Sequence, residues 1–175
     1  DSLSSSILDE FSYDPKNQYL ERFMDIAILR GEEYINKAPL DIKFRIHLAE
    51  AYTYKGNDPL NLVLLVKGED HIKKVLMFAP ERPDFNFDLA FNLFAQKRYE
   101  ESFSYFEKVL DINPHSLAQN KNIVKNFYTL FARYFYINRE KDNFITTAKR
   151  LGEYGYDGLD SPIKYIESNN VWPVI

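Results

Sequence analysis

Three prolines constrain this chain more than any other feature. Pro39, Pro80 and Pro114 close the related phrases Asn36-Lys37-Ala38-Pro39, Met77-Phe78-Ala79-Pro80 and Asp111-Ile112-Asn113-Pro114, spaced 41 and then 34 residues apart. Gly68, Ile72 and Val75 precede Ser102, Phe106 and Val109 by 34 residues, whereas Leu48-Ala49, Tyr52 and Gly56 precede Leu89-Ala90, Leu93 and Lys97 by 41. A repeat of this period implies stacked supersecondary units, each burying its apolar face only against the next. The two spacings differ by seven residues, so an insertion lies between the halves of the first unit. Seven residues are about two helical turns and shift the apolar phase by only about 20°. The expectation is a longer helix that still presents Gly68, Ile72 and Val75 to its partner.

The segments between the prolines carry apolar residues at three- and four-residue spacing, and only six glycines and eight prolines interrupt the chain. That pattern reads as helix throughout. Residues 2–15 form a short lead-in, and residues 16–36 a first long helix with Leu20, Phe23, Ile26, Ala27, Leu29 and Tyr34 on one stripe. Asp41 caps the next helix, which ends at Lys55-Gly56-Asn57 with glycine as a left-handed stop; Asp58-Pro59 opens another. Residues 161–168 read as a last short helix before the Val171-Trp172-Pro173-Val174-Ile175 tail.

Residues 83–116 closely resemble a tetratricopeptide repeat. Leu89-Ala90 and Leu93 fall in its first helix, Gln96-Lys97-Arg98 in its turn, and Tyr99, Ser102, Phe106 and Val109 in its second helix before Pro114. Lys97 replaces the usual turn glycine, and Asn86 replaces a usual large apolar residue. A weaker third unit carries Phe131-Ala132, Phe135, a turn at Asn138-Arg139-Glu140, and Phe144, Ala148 and Leu151. The resemblance implies an all-α, right-handed superhelix of antiparallel helix pairs, a tetratricopeptide-like α-solenoid. Residues 1–40 would be a lead-in and capping helix, 41–116 two helix pairs, and 117–175 a degenerate third pair, a short capping helix and a tail. Small residues at Ala49, Gly68, Ala90 and Ser102 mark close helix approach.

A narrower likeness rests on Phe11-Ser12-Tyr13-Asp14-Pro15, Tyr19-Leu20-Glu21-Arg22-Phe23, Ile35-Asn36-Lys37-Ala38-Pro39, Ala79-Pro80-Glu81-Arg82-Pro83 and Tyr154-Gly155-Tyr156. Their order is similar to the soluble C-terminal tetratricopeptide region of bacterial O-antigen ligase and polymerase-like membrane glycosyltransferases. It implies a non-catalytic, extracytoplasmic appendage in the cell envelope; a free-standing adaptor is the alternative. The chain opens at Asp1 with neither methionine nor a basic-then-apolar leader, as expected of a mature fragment or excised domain.

A net charge of −4 argues against nucleic acid as partner, and no apolar run is longer than that of Leu62 to Val66, far short of a membrane span. There is no cysteine, and His47, His71 and His115 share no metal-ligand spacing. No cofactor is expected. His47 with Glu50 reads as a hydrogen-bonded surface pair, and Asp84 with Asp88 as acids placed by the helix dipole. No phosphate loop or nucleophile elbow occurs, so the chain reads as not an enzyme.

Aromatic residues make up 16 % of the sequence. Tetratricopeptide solenoids line a concave groove with the first helix of each pair, and aligning units gives its rows: Ile46, Phe87 and Thr129; Glu50, Phe91 and Arg133; Thr53, Phe94 and Tyr136; Tyr54, Ala95 and Ile137. The candidate groove is therefore Ile46, Glu50, Tyr54, Phe87, Phe91, Phe94, Arg133 and Tyr136. Its expected occupant is a protein or peptide segment, with a glycan as alternative. Phe87, Phe91 and Phe94 form either an exposed partner stripe or one covered by a neighbour such as the Trp172 tail. The Lys and Asn residues of a carboxylate clamp are missing at the matching places.

Overall fold

The phrases ending at Pro39 and Pro80 each break one helix before the next begins, and within the described residues neighbouring helices pack in pairs. A computed structural model describes residues 18–57, 60–112 and 121–153. Among these residues every regular element is a helix: α1 Gln18–Lys37, α2 Ile42–Asn57, α3 Leu62–Leu76, α4 Pro83–Ala95, α5 Tyr99–Ile112, α6 Lys121–Ile137 and α7 Lys141–Glu153. The lead-in, Asp58-Pro59, Pro114, His115, the expected helix at 161–168 and the Trp172 tail lie outside the described residues.

The chain divides into two compact units, the first ending at Ile112 and the second starting at Asn113. In the first, α1 packs on α2, α2 on α3, α3 on α4 and α4 on α5, and α2 also packs directly on α4. Ile46, Ala49, Ile72, Val75, Phe85, Leu89 and Leu93 form one core, and Ile35, Leu48 and Tyr52 a smaller one under α1. In the second unit α6 packs on α7. Phe131, Ala132 and Phe135 are buried on α6, as are Phe144, Ala148 and Leu151 on α7.

Local chemistry sets the helix ends. Asp41 accepts the Phe44 amide at 2.9 Å, Asn61 accepts the Leu64 amide at 3.3 Å, and Pro83 opens α4, where a missing amide proton costs nothing. Pro39 and Pro80 also serve as acceptors. Arg45 donates to the Pro39 carbonyl, and Asn86, at the equivalent place 41 residues on, donates to the Pro80 carbonyl at 2.9 Å and to the Arg82 carbonyl at 2.8 Å. Asn86 thus stands where a large apolar residue was expected because it ties the interhelix turn to the helix that follows.

The two matched hairpins close differently. Gly68 lies so near α2 that a Cβ there would come within 3.1 Å of the Ala49 carbonyl, whereas Ser102 donates to the Ala90 carbonyl at 2.7 Å. The seven extra residues do not lengthen one helix alone. Compared with α4 and α5 in repeat register, they add about one turn to the end of α2, one residue to the loop and about one turn to the start of α3. Gly56 is correspondingly not a left-handed stop. It is helical and buried, and a Cβ there would meet Leu65 Cγ at 2.9 Å and the Leu65 amide nitrogen at 3.0 Å.

A polar network joins the hairpins. Asn92 donates to Thr53 Oγ1 at 2.7 Å and to the Leu65 carbonyl at 3.0 Å, while Gln96 donates to Asn92 Oδ1 at 2.7 Å and to Glu69 at 2.8 Å. Arg98 and Lys73 each reach Glu69 at 2.6 Å. Desolvation would raise the Glu69 carboxyl, but these donors hold it below its ordinary value. Among the fully buried side-chain nitrogen and oxygen atoms of the described residues, Asn86 Oδ1 is the one without a partner, so the network fixes register with few unmade bonds.

Candidate functional site

The outward face of α2 follows from helical periodicity once its core residues are known. Ile46, Ala49 and Thr53 point inward, leaving Lys43, His47, Glu50 and Tyr54 along the adjacent, more accessible stripe. Ile46 is only 6 % exposed and belongs to the core, as does Thr53. These two expected groove positions are therefore interior, and so is Ala95 on α4, at 8 % exposure. Aligning one repeat with the next identified equivalent positions but not the rotation of each helix, which Thr53 reveals through its bonds to Asn92 and to the Ala49 carbonyl at 2.9 Å.

On α4 the face opposite Leu89 and Leu93 carries Asp84, Phe87, Asp88, Phe91 and Phe94. Only Asp84 is exposed; the other four are partly buried. Tyr54 and Phe91 meet at 5.9 Å between ring centroids, which joins the outer stripes of α2 and α4. Phe87 lies 6.4 Å from Phe106, and Phe94 packs edge-on against Tyr99 at 5.1 Å. The three phenylalanines are thus held against α2 and α5 in fixed orientations. In the second unit Arg133 is exposed on α6, and Tyr136 is partly buried against Phe144 at 5.4 Å.

His47 Nδ1 lies 3.1 Å from Glu50 on the partly exposed side of α2, matching the surface pair read from the sequence. Arg82 grips Asp84 through two bonds of 2.9 and 2.5 Å, and these outweigh desolvation to keep the Asp84 carboxyl below its ordinary value. Asp88 behaves in the opposite way. Desolvation, reinforced by the charges of Glu50 and Asp84, pushes its carboxyl well above the usual carboxylate range. Among the described residues no cation or hydrogen-bond donor pairs with it. The sequence reading placed Asp88 with Asp84 as an acid favoured by the helix dipole, but only Asp84 lies in the first turn of α4, and Asp88 falls one turn further in. Its place beside Phe91 on a largely covered helix was the available signal.

A second titratable group sits under α1. Arg45 reaches His71 Nδ1 at 3.1 Å, and the Tyr52 ring stacks on the imidazole at 5.7 Å. Burial and the Arg45 charge lower the His71 value. Tyr52 donates to Glu32, which also receives Lys67 at 3.1 Å; burial and Glu32 together push the Tyr52 phenol up to about 12. Each of these groups is occupied in bonding one helix to another.

Among the described residues no group of three or more His, Asp or Glu side chains is placed to hold a metal ion, and no helix is long and apolar enough to cross a membrane. No protein-family model matches this sequence, and no curated protein matches it either.

Proposed function

We propose that this chain is a non-catalytic interaction module, a tetratricopeptide-like solenoid whose α2–α4 face receives a peptide or helix of a protein partner. One observation carries the reading: Tyr54 and Phe91 meet across two directly packed helices, with Phe87 and Phe94 continuing the stripe along α4. Rigid, partly buried aromatic rings present large apolar area at little entropic cost and are favoured as binding anchors. Direct packing of α2 on α4 is also what the first helices of successive solenoid repeats do. By the phrase order around Pro15, Pro39 and Pro83, the module is an appendage of an envelope glycan ligase or polymerase. Apolar segments of about twenty residues encoded upstream of Asp1 would support that setting, and a start codon immediately upstream would remove it.

Binding and stability are separable in Phe91→Ser. Short random peptides selected on the full chain should bind the variant at least tenfold more weakly, while its urea midpoint falls less than that of Leu89→Ser, which empties a fully buried site. Equal damage to stability from the two substitutions would make Phe91 a core residue and remove the binding face.

A further inference from the structure

The joined stripes of α2 and α4 carry three carboxylates with unequal company. Glu50 has His47 at 3.1 Å, and Asp84 has Arg82 at 2.9 and 2.5 Å. Asp88 shares their face and has neither cation nor donor among the described residues, although it is partly buried and its charged neighbours are both acidic. Lys43 is exposed on the same face of α2, one turn before His47, and Phe91 stands one turn after Asp88 on α4, against Tyr54. A carboxylate withdrawn from water between like charges is unfavourable in the protein alone. The missing complement is a cation, and the flanking aromatic rings favour one attached to an apolar stem.

We propose that the α2–α4 face recognises its peptide through a lysine or arginine side chain, the cation pairing with Asp88 beside Glu50 and the aliphatic stem lying on Phe91 and Tyr54. This rests on the peptide-binding reading above and names the chemistry of the peptide. An acidic segment is disfavoured by the same charges, which gives the face a selectivity that apolar contact alone lacks.

Peptides selected on the full chain at physiological salt, resynthesised and titrated against wild type, Asp88→Asn and Phe91→Ser, test the idea. The expected peptides share one lysine or arginine. Replacing it with norleucine lowers affinity about tenfold or more, Asp88→Asn lowers it by a similar factor, and the two losses are not additive. The thermal midpoint of Asp88→Asn stays at or above that of wild type, which separates lost binding from lost folding. Peptides that weaken with Phe91→Ser yet need no basic residue, or that bind Asp88→Asn as tightly as wild type, overturn the cation and leave the peptide face standing. Selection that yields no peptide sensitive to Phe91→Ser overturns both.

Discussion

Lys97 and Arg139 hold left-handed backbone, with φ of 63° and 60°, in equivalent hairpin turns of the two units. In each turn the amide after the left-handed residue reaches back to the helix, Arg98 to the Leu93 carbonyl at 3.0 Å and Glu140 to the Phe135 carbonyl at 2.9 Å. This is the closure that glycine ordinarily supplies. A side chain in this region costs roughly 1–2 kcal/mol, and the extra freedom of unfolded glycine returns about 0.5–1 of it. Lys97→Gly should therefore stabilise the first unit by about 0.5–1 kcal/mol, read as a higher urea midpoint at unchanged slope. A lower midpoint would mean that the Lys97 side chain makes contacts worth more than the strain it imposes. The sequence identified the turn and its missing glycine. It also placed the left-handed stop at Gly56, a position that is helical and needs glycine because Leu65 fills the space a Cβ would take.

At the scale of elements, two helical glycines predict opposite outcomes. A Cβ on Gly68 of α3 would lie 2.9 Å from both Asn92 Nδ2 and Thr53 Oγ1, atoms bonded to each other at 2.7 Å and unable to part without breaking the network between hairpins. Gly68→Ala should cost about 1–3 kcal/mol by overpacking. Gly152 of α7 has nothing within 4 Å, so Gly152→Ala should stabilise its helix by about 0.5–1 kcal/mol through reduced backbone freedom. Chemical denaturation of both variants is the measurement, and like signs would contradict the packing described. The helical elements were legible because 34- and 41-residue offsets align core positions such as Leu48 with Leu89 and Ile72 with Phe106. The division of the seven inserted residues was not legible, since period alone does not say which of two antiparallel helices lengthens. Asn61 settles it by capping α3 three residues earlier in repeat register than α5 begins. The site was half legible for a related reason. Phe87, Phe91 and Phe94 fell on one stripe of α4, but Ile46 turns into the core with Phe85 and Leu89, and Thr53 is drawn inward by Asn92, all residues of the next repeat.

For the whole molecule, stability against pH is set by groups that pull in opposite directions. His71 has a lowered value because burial and Arg45 disfavour its charged form. The unfolded chain therefore binds that proton more readily, and its contribution to stability is complete above about pH 6.5 and declines as pH falls through the folded value. Carboxylates held low, including Asp41 by the Phe44 amide and Tyr34, and Glu101 by Arg98, lose their contributions in the same direction as pH falls further. Asp88 opposes them all. With its value raised by desolvation and by Glu50 and Asp84, the folded state binds the proton more tightly, so stability declines as pH rises from 3.8 through the raised value and the cost is constant beyond it. Asp88→Asn should accordingly match wild type more closely near pH 3, gain on it as pH rises, and hold a constant advantage once the pH exceeds the raised value. In His71→Asn, whose amide oxygen can accept from Arg45 without titrating, stability should no longer decline between pH 6.5 and the lowered histidine value, while its response to Asp88→Asn is unchanged. Urea midpoints of both variants and the double variant from pH 3 to 8 check this. A neutral-pH advantage for Asp88→Asn that does not shrink on acidification would show that Asp88 acts through packing rather than charge, and the face would lose the electrostatic demand on which recognition of a basic side chain depends.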